Sequence, residues 1–237
     1  MKRILVAGAS GFLGREVVRV LQSRGHWTRA ICRSSAHAQG LSASEILIAD
    51  ALHPDGLKGA ANGVDVVFSC LGQTVSPDLS IKRPGYLAVD IPANRNLIKL
   101  AKDAGVKRFV YVSVLHADRF PYVAYLYAHA QVAAAVKSSG LSYGIIEPTG
   151  FFSHFKVLLD LVESNRAVVF GNGNSKTNPI TMRILPAFAL MQSRPAIPRW
   201  CPPEVRRSIP GGKCWSGRRK CSASLRKSAK CLSGFPA

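Results

Sequence analysis

Near the amino terminus the run Gly8-Ala9-Ser10-Gly11-Phe12-Leu13-Gly14 follows a short apolar stretch, Ile4-Leu5-Val6-Ala7, and leads into a helical pattern from Arg15 to Arg24. A buried strand that ends in glycines and reopens as a helix leaves the chain few ways to fold. Gly8 permits the tight turn, Gly11 lets a backbone approach a pyrophosphate, and Gly14 allows close packing of helix on strand. Val17, Val18 and Leu21 recur at helical spacing, and Gly25 reads as a stop. The helix begins with its amide hydrogens facing outward, so the turn reads as a phosphate cradle. Three glycines can also make an ordinary loop; the strand before them and the amphipathic helix after them point to dinucleotide binding.

At 237 residues the chain suits one α/β domain with a sizeable core. It opens on the strand and carries no apolar run of bilayer length, so the expectation is a cytoplasmic protein with no signal peptide and no membrane partner. The six cysteines, Cys32, Cys70, Cys201, Cys214, Cys221 and Cys231, include no CxxC pair and no zinc spacing. Free thiols and no metal are expected. The formal charge of +19 would suit nucleic acid, but its distribution argues otherwise: residues 1–180 have a net charge of +8, and residues 181–237 of +11. No nucleic-acid partner is expected.

Trp27 to Arg33 reads as a second strand ending in Arg33-Ser34-Ser35. An acid at this strand end would hold a ribose 2′-hydroxyl, whereas Arg33 can pair with a 2′-phosphate, which favours NADP(H) with NAD(H) as the alternative. A solvated loop arginine is the plainer reading. Glu45 to Ala49 is a third strand closed by Asp50-Ala51. Val64 to Leu71 is a fourth, almost wholly apolar, as a sheet covered on both faces requires. Its end, Ser69-Cys70-Leu71-Gly72, would lie at the carboxyl edge near the cofactor, with Cys70 as a packing residue. Tyr86 to Ala104 is a helix stopped by Gly105, and Val106 to Ser113 is the next strand. A helix then runs to Gly140, Leu141 to Glu147 is a strand, Phe155 to Val162 a helix and Ala167 to Phe170 a strand.

The GxxGxxG spacing of GASGFLG, together with AGVKRFVYVSVLHADRF and SGLSYGIIEPTGFF, resembles the atypical branch of the short-chain dehydrogenase/reductase superfamily, which includes NmrA-like proteins and NAD(P)H-binding reductases. The resemblance covers about residues 2–180. It implies a Rossmann-like, doubly wound parallel sheet with helices on both faces and an incomplete C-terminal part. It also implies Gly8, Ser10, Gly11, Phe12, Leu13 and Gly14 at the cofactor phosphates, Asp50 and Ala51 at the adenine, Leu71 and Gly72 along the cofactor, and Pro148 and Thr149 at the nicotinamide end. Phe151 and Phe152 read either as pocket walls or as aromatic core, and His154 either faces the pocket or, as the plainer reading, lies at the surface.

Catalytic relatives place a serine at the end of the fifth strand and a YxxxK pair on the next helix. The serine binds the substrate oxygen, the tyrosine moves the proton, and the lysine holds the ribose and lowers the tyrosine pKa. Ser113 matches the serine and Tyr125 the tyrosine, but the i+4 position holds His129. Histidine can bind a ribose hydroxyl or relay a proton, yet it is only partly cationic near neutral pH. Tyr122, Tyr125 and His129 could equally form a helix face packed on the sheet without chemistry.

From Thr181 the composition breaks. Seven prolines follow, acids nearly vanish, and four cysteines lie among Arg, Lys and Ser. Relatives continue after NPI with an HxxDLA-like helix and later a GGPE stretch. Reading each triplet from the third base of one codon, with allowed codons, gives HEDLAGVCADA across Thr181 to Gln192 and SAGGPEVYSRREML over Cys201 to Trp215. The expected organisation is a nucleotide-binding domain at residues 1–180 and a basic, disordered tail at 181–237 translated out of frame. A basic arm for nucleic acid or membrane is the alternative.

These features point to an NADPH-dependent oxidoreductase acting on a small organic substrate. The alternatives are a non-catalytic NmrA-like sensor of the NADP(H) pool, acting through a protein partner or as a homo-oligomer, and a nonfunctional product of a damaged frame.

Overall fold

The computed structural model describes residues 1–73, 85–165 and 178–182, together with Asn172 and Asn174. Among the described residues six strands are formed: β1 Arg3–Ala7, β2 Trp27–Cys32, β3 Glu45–Ile48, β4 Val66–Ser69, β5 Arg108–Val112 and β6 Ser142–Ile146. They make one parallel sheet in the order β3-β2-β1-β4-β5-β6. This is the doubly wound order, in which the chain reverses direction across the sheet between β1 and β4.

The helices are α1 Phe12–Ser23, the single turn α2 Ser35–Ala38, α3 Tyr86–Asp103, α4 Ala124–Lys137 and α5 Ser153–Glu163. Alternation along β1 sorts its side chains between two cores. Ile4 and Val6 pack with Val17, Val18 and Leu21 of α1, while Leu5 and Ala7 pack with Leu97 and Ala101 of α3 and Val132 and Val136 of α4. Both faces are therefore covered, which explains why β1, β4 and β5 read as unbroken apolar runs.

The elements fall within a few residues of their expected bounds, with three differences. α1 starts at Phe12 rather than Arg15, because Gly11 is the cap and Arg15 N–H already bonds Gly11 carbonyl at 3.0 Å. Tyr122 precedes α4 and is 80% exposed, so it does not share a helix face with Tyr125 and His129. Phe151 is half-buried against the α1 core and pairs with Ile180, whereas Phe152 is exposed. The expected strand Ala167 to Phe170, the side chain of His154 and the tail beyond Met182 lie outside the described residues. Among the described residues, no helix is long and apolar enough to cross a membrane, and no cluster of His, Cys, Asp and Glu could hold a metal ion.

Candidate active site

The carboxyl ends of β1 and β4 meet at the glycine turn. Gly8 has φ +75°, and a Cβ there would lie 2.8 Å from the Cys70 carbonyl oxygen, so only glycine fits both the conformation and the contact. A Cβ on Gly14 would sit 2.0 Å from the Gly8 carbonyl oxygen, while one on Gly11 would meet that oxygen at 3.3 Å. Gly14 is thus fixed by packing within the turn, and Gly11 borders the open side. No side chain caps α1, which leaves its first-turn amides for an incoming anion. Phe12 stands 72% exposed at the mouth.

Arg15 ties the turn to the segment after β2. Its guanidinium donates to the carbonyls of Ser10 at 3.1 Å, Gln39 at 2.8 Å and His37 at 2.9 Å. That leaves Arg33, exposed at the end of β2, as the basic side chain nearest in sequence to Ser34 and Ser35. At the end of β3 Asp50 folds on itself, its Oδ1 accepting from Leu52 N–H at 2.9 Å, and Ala51 is buried. A cavity of about 430 Å3 opens beside the turn between Phe12, Arg15, Leu41, Phe152 and Met182.

The loop after β4 is held by side chains of α3. Ser69 Oγ donates to Asn94 Oδ1 at 2.6 Å, and Asn94 Nδ2 donates to the Leu71 carbonyl at 3.2 Å. Asp90 Oδ1 accepts from Gln73 N–H at 2.8 Å, and its Oδ2 faces the position a Gly72 side chain would take. Asp90 is fully buried with Oδ2 unpartnered, and burial raises its carboxyl to about 6 against the Gln73 bond that lowers it. Leu71 and Gly72 are thus presented by a buried polar network that the sequence reading passed over. The signal was available: Asp90 and Asn94 fall on the stripe shared by Ala93, Leu97, Ile98 and Ala101.

Ser113 follows β5 at the carboxyl edge. Its N–H bonds the Ile146 carbonyl at 2.7 Å, yet its Oγ is buried without any partner. An orphaned buried hydroxyl costs about 1–3 kcal/mol unless a ligand satisfies it. Leu115 N–H bonds the Pro148 carbonyl at 3.0 Å, which brings the two loops together, and Thr149 Oγ1 donates to the Asn178 carbonyl.

α4 begins at this edge and descends along the sheet. His129, one turn in from Tyr125, is buried and shares a 2.7 Å hydrogen bond between its Nδ1 and the Tyr111 hydroxyl. The Tyr125 ring stands edge-on to His129 at 4.7 Å and to Tyr86 at 5.3 Å. Burial lowers His129 to about 4, so it is neutral near pH 7. Burial chiefly, with the charges of Asp90 and Tyr86 behind it, raises Tyr125. The arrangement gives a partnerless hydroxyl, that of Ser113, at the end of β5 and no cation on the helix face of Tyr125.

A model of the NAD(P)H-binding family matches residues 8–177. Among curated relatives, the photosystem II assembly factor Ycf39 of Cyanophora paradoxa is 30% identical over 63% of this chain and 46% of its own. Divinyl chlorophyllide a 8-vinyl-reductase of Cucumis sativus is 28% identical over 78% of this chain and 48% of its own. The chain spans about half the length of the curated relatives it matches. Among solved structures, the NADPH-dependent quinone oxidoreductase of Escherichia coli, complexed with NADPH, superposes with a TM-score of 0.61 at 27% identity, over 78% of this chain and 62% of that one. The Bordetella bronchiseptica enzyme WbmG in complex with NAD gives 0.64 at 15% identity, over 82% and 70%, which is a likeness of fold. With its glycine turn, strand order and family match, the chain belongs to the NAD(P)H-binding family, within the atypical short-chain dehydrogenase/reductase superfamily.

Proposed function

We propose that the protein is an NADPH-dependent reductase of a small organic substrate. The observation that carries this reading is the buried, partnerless Ser113 Oγ at the carboxyl edge, where an active hydroxyl of this superfamily is expected and where a substrate oxygen would satisfy it. The glycine cradle fits the dinucleotide: the amides of α1 would hold the pyrophosphate, Arg33 the 2′-phosphate, Asp50 and Ala51 the adenine end, and Leu71, Gly72, Pro148 and Thr149 the nicotinamide end. When bound, the reduced nicotinamide supplies a hydride. Ser113 and Tyr125 bind the oxygen of the group being reduced, and the buried Asp90–Asn94 network keeps the β4 loop in shape. Two similar proteins, a quinone oxidoreductase and a vinyl reductase, support a reductive reaction.

The same reading takes residues 1–180 as the binding domain and residues 181–237 as an out-of-frame tail. The test is consumption of NADPH by purified protein with a panel of carbonyl, enone and quinone compounds. Absence of turnover in a frame-restored protein that binds NADPH would sink it.

The second reading, a non-catalytic sensor of NADP(H), is favoured by one observation: His129 takes the lysine position and is neutral and bonded to Tyr111. Unchanged NADPH binding in Tyr125→Phe, with no activity to lose, would select it.

A further inference from the structure

We infer that Tyr125 works as a permanently protonated hydrogen-bond donor, backed by the buried carboxyl of Asp90, and that the site therefore takes acceptors reduced to a resonance-stabilised oxyanion, such as quinones or conjugated enones. The inference rests on the reductase reading above and names its substrate class.

Among the described residues, the groups that face Tyr125 come from three elements: Tyr86 and Asp90 from α3, Tyr111 from β5 and His129 from α4. None of them is a cation near pH 7. A catalytic tyrosine that exchanges protons with an alcohol needs a positive neighbour to make its phenolate accessible. Here the i+4 group is an imidazole whose Nδ1 is already committed to Tyr111 at 2.7 Å. One turn along α3 from Tyr86, Asp90 is fully buried with one oxygen on Gln73 and the other on nothing, and negative charge there opposes a second one on the phenol. Burial, with the same carboxyl behind it, pushes Tyr111 upward, so the whole cluster resists ionisation.

A phenol of this kind is a poor general base and shuts off alcohol oxidation. It is a good fixed dipole for a developing negative charge, alongside the unpartnered Ser113 hydroxyl. The chemistry then balances without proton transfer from the protein. The acceptor carbon gains a C–H bond and two electrons, its conjugated π pair moves onto the oxygen, and the oxyanion, held by the two hydroxyls, takes its proton from water. Only an enolate or phenolate is stable enough to wait for that proton. An unactivated ketone would require an alkoxide and a working acid.

The test separates this inference from the reductase reading. Tyrosinate absorbance is titrated in the apoprotein, wild type minus Tyr125→Phe, from pH about 7 to about 10, the range that runs up to the midpoint of an ordinary phenol. No Tyr125 signal is expected across that range; a signal below pH about 9, a full unit under the free phenol, overturns the inference whether or not any compound turns over. Asp90→Asn is expected to bring the Tyr125 signal down in pH. In turnover, quinones and conjugated enones are expected to exceed matched saturated ketones by about a hundredfold or more, the size of a general acid–base contribution. Equal rates on the two classes also overturn it.

Discussion

The Tyr111 hydroxyl and His129 Nδ1 share a 2.7 Å hydrogen bond beneath Tyr125, both residues being buried. The bond joins the middle of the sheet to α4 and commits one of the two ring nitrogens of His129. Tyr111→Phe leaves the imidazole nitrogen buried and unpaired, which should cost about 1–3 kcal/mol in urea unfolding while leaving the glycine turn and nucleotide affinity intact. A loss well under that figure would mean that His129 finds another partner.

Gly11 and Gly14 should respond differently to the same substitution. Gly14→Ala forces a Cβ to 2.0 Å from the Gly8 carbonyl oxygen and 2.7 Å from Ala9 Cα, so the turn itself must shift. A loss of more than about 3 kcal/mol of stability is expected, with little folded protein recovered. Gly11→Ala meets only the Gly8 oxygen, at 3.3 Å, and should cost under about 1 kcal/mol while weakening NADPH binding at least about tenfold. Thermal melts with and without nucleotide separate the two effects.

Arg33 decides between the two dinucleotides on the present reading. Arg15 is engaged by three carbonyls, so its guanidinium is not free to move to a phosphate without releasing the segment His37 to Gln39. Arg33→Ala should therefore lower NADPH affinity by about tenfold or more, the size of a lost charge-assisted hydrogen bond, and leave NADH affinity unchanged. Calorimetric titration with each nucleotide measures the ratio. An unchanged ratio would take the 2′-phosphate away from Arg33.

Most of the fold was legible because β1 and β4 are apolar runs that end at glycine turns, at Gly8 and Gly72, and because Gly25, Gly105 and Gly140 each follow the end of a helix. The cradle was legible for the same reason: backbone conformation dictates glycine locally. The partners made by tertiary packing are not written in local spacing. Nothing in the spacing of Tyr111 says that its hydroxyl reaches α4, and β5 reads only as a buried strand. Asp90 and Asn94 were readable as polar residues on an apolar helix stripe, but their targets, the Gln73 amide and Ser69, are chosen by how α3 lies over the end of β4. Tyr122 was misplaced onto α4 because aromatic spacing alone does not show where a helix starts.

Two buried groups pull the acid stability of the protein in opposite directions. Asp90 is raised from 3.8 to about 6, so its favourable neutral form is complete below pH 3.8 and is lost as pH rises through about 6. His129 is lowered from 6.5 to about 4, so its contribution is complete above pH 6.5 and is lost as pH falls through about 4. Between these limits the two largely cancel in the wild type. Asp90→Asn removes the first and keeps the second, so the variant should lose about 2–3 kcal/mol more than the wild type on going from pH 7 to pH 4. Urea midpoints at both pH values give the slope directly, apart from any constant cost of the amide. Parallel curves for the two proteins would show that Asp90 is ionised normally in the fold.

The out-of-frame reading of residues 181–237 makes a prediction at the level of both gene and protein. Phe152, Phe155, Leu158, Leu159 and Val162 stand 41–60% exposed along α5, a row of large apolar side chains that a soluble domain normally covers. With allowed codons the shifted frame over the tail permits strings that look like what relatives place after this point, whereas the translated tail has a net charge of +11 and is rich in proline. Sequencing the gene across the codons for Asn178 to Arg183 should reveal a missing base or its net equivalent. A chain with that base restored should cover the α5 row, seen as a loss of hydrophobic-dye binding and a rise in melting temperature of about 4 °C or more, the shift that about 1–2 kcal/mol gives a domain of this size. If the gene is intact and the restored chain binds as much dye as this one, the tail is encoded as written and the α5 row needs a different cover.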